Sequence, residues 1–371
     1  MNFFLRLLFG VFFSLSLSFV GFAEKKEPKI RVLLAENANE ISIHSHHLFQ
    51  FFGAKIDPNL LQLNFRRQNK NQIEIGRRWV AASPFYLASA QGMVFKNHNY
   101  RGLFEIHASE KGLQLINSIP LEDYVRGVVC SESSPSWPIE ALKTQAVLAR
   151  SFALYNLVEK QKKTWQIGNS FLDQVYKGKT SETPKCDLAV QETFGRVVVY
   201  QNNLIPVYYH ANSGGNTENP KDVWNVHLQY LDSRVTPYGK TDPNYYWEYF
   251  ISQKELRKNL TSLGLNFSRV HRLWIEEFTH GGRAKMVGLE GDKRIFITGE
   301  KLRNLVGYQK VKSTKFRVQP YSDGFLLSGE GSGHGVGYCQ WCGKEMAAAG
   351  YHFQDIIQAF YQEVDIIKAY P

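Results

Sequence analysis

Leu142, Ala146, Ala149, Ala153 and Leu157 recur at three- and four-residue spacing, the period of one face of an α-helix. Three of the five are alanine, so the face is narrow and suited to close packing. Pro138 fits the first turn of this helix, which is predicted to begin near Ser136 or Trp137. A shorter helix is predicted over 120–129, where Ser118 can cap, Pro120 suits the first turn and Glu122 and Asp123 complement the positive helix end. Between the two runs VVCSESSPSW, with one carboxylate, Glu132, among small and proline-flanked residues.

Upstream, IRVLLAE, EISIHS, QIEIG, GMVFKN and LFEIHAS alternate as half-buried strands do, separated by Asn, Gly and Asp. Downstream, RVVVYQNNLIPVYYH reads as two strands around an Asn-Asn turn, ELRKNLTSLGL as a short helix, and HRLWIEEFTHGG, AKMVGLEG and KRIFITG as consecutive strands. GKEMAAAGYHFQDIIQAFYQ has helical spacing interrupted at Gly350. The fold class is therefore α+β: a β-rich N-terminal lobe, a central helical segment, and a mixed β/α C-terminal region around a cleft. The expected division is 1–23 leader, 24–117 β-rich lobe, 118–250 core, 251–328 inserted β-rich lobe, and 329–371 glycine-rich loop and C-terminal helices completing the core.

The first 23 residues place Arg6 before an apolar run and end in Gly21 and Ala23, the pattern of a secretory leader cut after Ala23. The run is nearly long enough to span a bilayer, so membrane attachment is expected only if the leader is retained. A net charge of +10 favours anionic polymers. An exported chain meets wall, anionic lipid or acidic glycan before nucleic acid, which is set aside as a partner. Cys130, Cys186, Cys339 and Cys342 suit an oxidising compartment, their pairing left open. CQWC has the spacing of a redox or half-zinc motif, yet no second CxxC or nearby HxxxH completes a ligand set; no metal and no cofactor is assigned. HANSGGNTENPKDVW and GEGSGHGVG read as glycine-bearing loops. The second matches neither GxGxxG nor GxxxxGK, which disfavours nucleotide binding, and without GxSxG, Ser213 and His334 do not make a hydrolase pair.

Taken in order, IPLEDYVRGVVCSE (119–132), WPIEALKTQAVLARSFAL (137–154), DQVYKG (173–178), YYHANSGGNTENPKDVW (208–224) and GEGSGHGVGYCQW (329–341) resemble the sporulation stage II protein D family. The resemblance covers most of the chain beyond the leader. It implies a lytic transglycosylase acting on peptidoglycan strands, or an enhancer of wall amidases, and maps the catalytic acid to Glu132. Cys130 stands where the family commonly has proline, and Cys339 and Cys342 flank a glutamine, Gln340, that usually follows a serine. Some relatives hold zinc through cysteine and histidine beside the site; the cysteine-bearing form of DQVYKG is absent here.

Cleaving a glycosidic bond needs a proton delivered to the leaving oxygen, hence a carboxyl that is protonated near neutral pH. Burial and a helix C-terminus raise a carboxyl pKa, whereas nearby cations such as Lys143 and Arg150 lower it. Hydrolases use two carboxylates; the lytic route implied by the resemblance lets the sugar's own C6 hydroxyl attack, so that one Glu serves as acid and then base. The competing reading of an isolated Glu in a polar loop is a solvated surface group. Lys143 and Arg150 share a helix face and, with Gln145, are candidates to hold glycan oxygens; a solvated face is the alternative for Lys143, and the pattern around Arg150 favours an internal hydrogen-bonding role. His210, Asn212, Ser213, Gly214 and Gly215 form a loop whose backbone N–H groups suit an oxygen-rich ligand, or simply a tight turn. Tyr176 and Trp224 are candidates to stack on sugar rings, or are core aromatics. His334 is expected to project into the cleft from the glycine-rich loop, which otherwise reads as a rigid crossing, and Gln340 completes the set. The expected partners are peptidoglycan glycan strands and a wall amidase.

Overall fold

The computed structural model describes residues 26–52, 60–170 and 173–371; the leader at 1–23 lies outside the described residues. The architecture is α+β. Near the N-terminus, two six-stranded sheets share one core. The first runs in the order 167–168, 29–38, 112–120, 103–109, 85–89, 49–52, and the second 79–82, 72–75, 62–69, 40–44, 93–95, 98–100. Alternation does the sorting: Ile41, Ile43, Ile73 and Ile75 turn inward while their neighbours do not. Phe65 of one sheet meets Phe85 of the other at 5.8 Å.

Strand 112–120 leads directly into α1 (Leu121–Glu132). This helix runs three residues beyond the predicted end, because no breaker precedes Ser133 and Pro135 and because the Ser131 hydroxyl donates back to the Gly127 carbonyl. Glu132 is thereby its last residue. The second helix, α2 (Ile139–Glu159), begins after Pro138 and buries Leu142, Ala146, Ala149 and Ala153 completely. It is buried on other faces as well, through Val147, Leu148 and Leu154, as befits a central helix. Against it pack α1, α3 (Pro184–Glu192) and, from the far end of the chain, two further helices.

Strands 196–200, 203–204 and 364–368 form a small sheet. Its hairpin turns at Gln201 and Asn202, both with positive φ, one residue before the predicted Asn-Asn turn. The two-residue strands 209–210 and 338–339 pair in parallel, which brings the two glycine-bearing loops together. The first of these loops contains a five-residue helix, α4 (Pro220–Trp224), capped by Asn219, where only loop is predicted.

Residues 246–330 build a lobe with its own core. It holds α5 (Gln253–Thr261), α6 (Gly299–Val306), and two three-stranded sheets, one of 270–278, 284–291 and 294–298, the other of 246–252, 324–330 and 316–321. The chain then returns to the core as α7 (Gln340–Ala348) and α8 (Phe353–Phe360), the two helices that complete the packing on α2. Among the described residues no helix is long and apolar enough to cross a membrane.

Disulfides join Cys130 to Cys186 and Cys339 to Cys342. The first ties the end of α1 to α3, two residues before Glu132. Replacing Cys130 and Cys186 by serine is expected to cost about 4 kcal/mol from the loop entropy of a 56-residue separation. A lower urea midpoint, with a steeper denaturant slope because the released unfolded chain exposes more surface, would register it.

Candidate functional site

Glu132 closes α1, with no basic residue in the last turn of that helix. One carboxylate oxygen accepts a 2.6 Å hydrogen bond from the backbone N–H of Val175. Burial pushes its pKa above the usual 4.5, and the Val175 N–H, the Gln340 amide and Lys177 pull back without reversing it. The negative end of α1 acts in the same upward direction. Among the described residues Glu132 forms no ion pair. The carboxyl is therefore held in place while remaining easy to protonate.

The two cations expected to compete are occupied elsewhere. The Lys143 ammonium sits 2.7 Å from Glu140 and 2.6 Å from Glu192. Arg150 is fully buried, and its guanidinium donates to both oxygens of Glu122 at 2.8 and 2.7 Å and to the Arg196 carbonyl at 3.0 Å. Neither presents a free charge to a glycan, which corrects the substrate-holding expectation for both. Tyr176 is corrected as well: it is fully buried, donates to Asn117 at 2.9 Å, and packs against Tyr124 with ring centres 4.9 Å apart.

Gln340 does reach Glu132, and Gln145 stands behind it. The Gln340 amide donates to Gln145 at 3.2 Å and lies 3.5 Å from the Glu132 carbonyl oxygen. The amide nitrogen of Gln145 is buried and lacks a partner among the described residues. Tyr209, not singled out in the sequence, also belongs here: its hydroxyl is buried, and burial together with the Glu132 charge raises its pKa, the Gln174 side chain pulling back without reversing it. The doubled tyrosine before His210 was the one available signal.

The SGG turn is turned upon itself. Asn212 donates to the Gly239 carbonyl at 2.8 Å and accepts from the Gly214 N–H at 3.0 Å. Ser213 shares a 2.6 Å hydrogen bond with Thr236, and the Gly215 N–H donates to the Ser213 hydroxyl at 3.3 Å. The N–H groups offered to a ligand in the sequence reading are thus used internally. Gly214 has φ +68°, and a Cβ there would stand 2.9 Å from the Glu330 backbone, so glycine serves a close approach. The same holds in the second loop, where a Cβ on Gly335 would meet the Arg283 guanidinium at 2.6 Å. The glycines make a rigid crossing. The buried Arg283 closes it by donating to the Ser213 carbonyl at 2.7 Å, with Glu218 3.6 Å away.

His210 and His334 meet edge to face within this crossing, ring centres 5.5 Å apart. A carbonyl can only accept, so Nδ1 of His210 carries the proton shared with the Val336 oxygen at 3.1 Å, and its buried Nε2 is an acceptor without a donor among the described residues. For His334, Nδ1 accepts from the Val336 N–H at 3.0 Å and Nε2 donates to the Tyr209 carbonyl at 3.1 Å. Burial, then Arg283, pushes the His334 pKa down to about 3, and burial lowers that of His210. Both imidazoles are neutral spacers, and His334 is bound to backbone instead of projecting into a cleft. Trp224, 39% exposed, lies 5.0 Å from the His334 ring and 4.8 Å from Tyr208 and still offers a stacking face.

A zinc site does not fit these residues. All four cysteines are in disulfides, and no three His, Cys, Asp or Glu side chains gather as ligands among the described residues. Two cavities, of about 520 Å³ on the inserted lobe and about 540 Å³ beside Glu140 and Lys143, are both lined by residues other than Glu132.

Residues 109–200, which include α1, α2 and Glu132, match the family model described as Stage II sporulation protein, and residues 219–337 match a domain of unknown function. An uncharacterised protein of Brachyspira hyodysenteriae is 28% identical over 309 residues, 81% of each chain. Stage II sporulation protein D of Bacillus amyloliquefaciens is 29% identical over 269 residues, 68% of this chain and 76% of that one. An amidase enhancer of Bacillus subtilis is 24% identical over 286 residues, 64% of this chain but 39% of that protein. The segment that carries the candidate acid is thus similar to the Stage II sporulation protein family.

Proposed function

We propose that this is an exported peptidoglycan lytic transglycosylase that cleaves the β-1,4 bond between N-acetylmuramic acid and N-acetylglucosamine on peptide-stripped strands. The observation that supports the reading most is the environment of Glu132, a half-buried carboxyl without an ion-pair partner among the described residues and with a pKa raised by desolvation. In its acid form Glu132 gives its proton to the bridging oxygen as the bond from C1 breaks. The carboxylate left behind then takes the proton of the C6 hydroxyl of the same muramic residue, whose oxygen closes on C1. The product ends in a 1,6-anhydro ring, and Glu132 is again protonated. No water is consumed, which is why a second carboxylate is unnecessary. The Val175 N–H and the Gln340 amide orient the acid, and Trp224 is an exposed face for a sugar ring.

Cleavage tracks the protonated fraction of Glu132. A raised pKa in the fold means kcat/KM is level at acid pH and falls as pH passes upward through a value above 4.5. A pH profile whose falling limb sits at or below 4.5 would contradict the assignment.

A second reading has its own support. One relative is called an amidase enhancer, and neither described cavity is lined by Glu132. In that reading the protein holds glycan and activates an amidase. Purified chain incubated alone with wall sacculi separates the two: release of soluble glycan is expected without a partner, and release only after an amidase is added would favour the enhancer.

A further inference from the structure

The inserted lobe carries a cavity of about 520 Å³ that the chemistry of Glu132 leaves unused. Its volume is within the range of small-molecule sites. It opens at the end of the sheet 246–252, 324–330, 316–321 that abuts the SGG turn: Lys315, on its wall, donates to the Gly214 carbonyl at 2.5 Å. The cavity therefore borders the same loop crossing that carries His210 and His334.

Its lining is divided between rings and polar groups. Tyr246 and Phe278 are 70% and 55% exposed, leaving two large aromatic surfaces in water at one concavity. Glu248, Ser328 and Arg317 stand opposite one another across the three strands. Lys315 lies 3.6 Å from Glu330, so two cations face two carboxylates and the cavity carries no net charge. That balance gives a phosphate or polyanion nothing to gain and suits a neutral ligand rich in hydroxyls. A third ring, Trp247, also lines the cavity. It is 5% exposed, and its indole N–H has no acceptor among the described residues. The ring lies over Gly329, where an added Cβ would come within 2.3 Å of it. A buried donor left open is costly, and an acceptor on a ligand relieves the cost.

We propose that this cavity is a sugar-binding subsite for an N-acetylated pyranose of a β-1,4 glycan. Tyr246 and Phe278 take the apolar face of the ring, the alternating charged and hydroxyl groups take its hydroxyls, and the Trp247 N–H takes an oxygen of the ligand. The proposal rests on the glycan reading of Glu132 for the identity of the polymer, with the subsite holding a second stretch of the same strand.

Binding of an N-acetylglucosamine hexamer and of peptide-stripped wall glycan to the full chain, measured by calorimetry in a Glu132→Gln background, tests it without interference from turnover. Tyr246→Ala with Phe278→Ala is expected to weaken binding about tenfold or more at an unchanged melting temperature, because both rings are already exposed. Trp247→Phe, which keeps the packing and removes the donor, is expected to weaken it by a smaller factor. Equal affinity of the double variant and its parent overturns the subsite, and so does a parent that binds neither glycan. A chain that binds glycan through these rings yet releases no anhydro-ended product keeps the subsite and loses the cleavage reading, so the two fail separately.

Discussion

Glu132→Gln is expected to lower glycan cleavage by roughly 10²- to 10⁴-fold, the usual contribution of a positioned general acid, while the fold persists. The amide keeps an oxygen for the Val175 N–H but has no proton to give. Its effect on stability has a definite sign. The folded pKa of Glu132 is raised, so the stability linked to its protonation is fully present below the usual 4.5 and is lost as pH climbs through the folded value. A neutral amide removes that loss. The variant is therefore expected to melt at or above the temperature of the parent at pH 7, with the difference shrinking at acid pH. Thermal melts at the two pH values and a cleavage assay on one preparation check both halves. A variant that is inactive because it is unfolded would leave the fold half refuted, and one that is fully active would refute the acid.

Arg150→Ala is expected to cost about 3–5 kcal/mol, the penalty for leaving one partner of a buried ion pair alone. Glu122 is the hub of that pair. Besides Arg150 it accepts from the Gly195 N–H at 3.1 Å and from the Tyr370 hydroxyl at 2.5 Å, so it joins α1, α2, the strand after α3 and the C-terminus of the chain. Without the guanidinium it is a charge in an apolar setting. Glu122→Gln in the same chain is expected to recover part of the loss, because the two residues couple directly. Urea unfolding of the single and double variants measures the coupling. A stable Arg150→Ala chain that has lost only glycan affinity would return Arg150 to the substrate.

Glu132 drew notice in the sequence as a lone acid in a small-residue segment, and α2 because its spacing is local information. What surrounds Glu132 was not legible for the converse reason: the Val175 N–H and the Gln340 amide are 43 and 208 positions away, and no periodicity encodes such partners. The parallel pairing of 209–210 with 338–339 spans two residues on each side, too short to leave a pattern. The same is true of α4, although Asn219 and Pro220 are its cap and first turn. The sequence leaves a substrate role open beside an internal one for Arg150 and Tyr176, because polar and aromatic side chains carry no certain mark of burial; the assembled fold decides for the interior by supplying Glu122 to one and Tyr124 to the other. The disulfide pairing needed three-dimensional proximity for the same reason.

The central claim, that one carboxyl first donates a proton to a glycosidic oxygen and then accepts one from the sugar, is tested most directly by mass spectrometry of the products formed in heavy-oxygen water. The purified chain alone should yield 1,6-anhydro ends carrying no label from solvent. Labelled reducing ends would mean that water is the nucleophile, and intact strands would mean that Glu132 cuts nothing; either result contradicts the account.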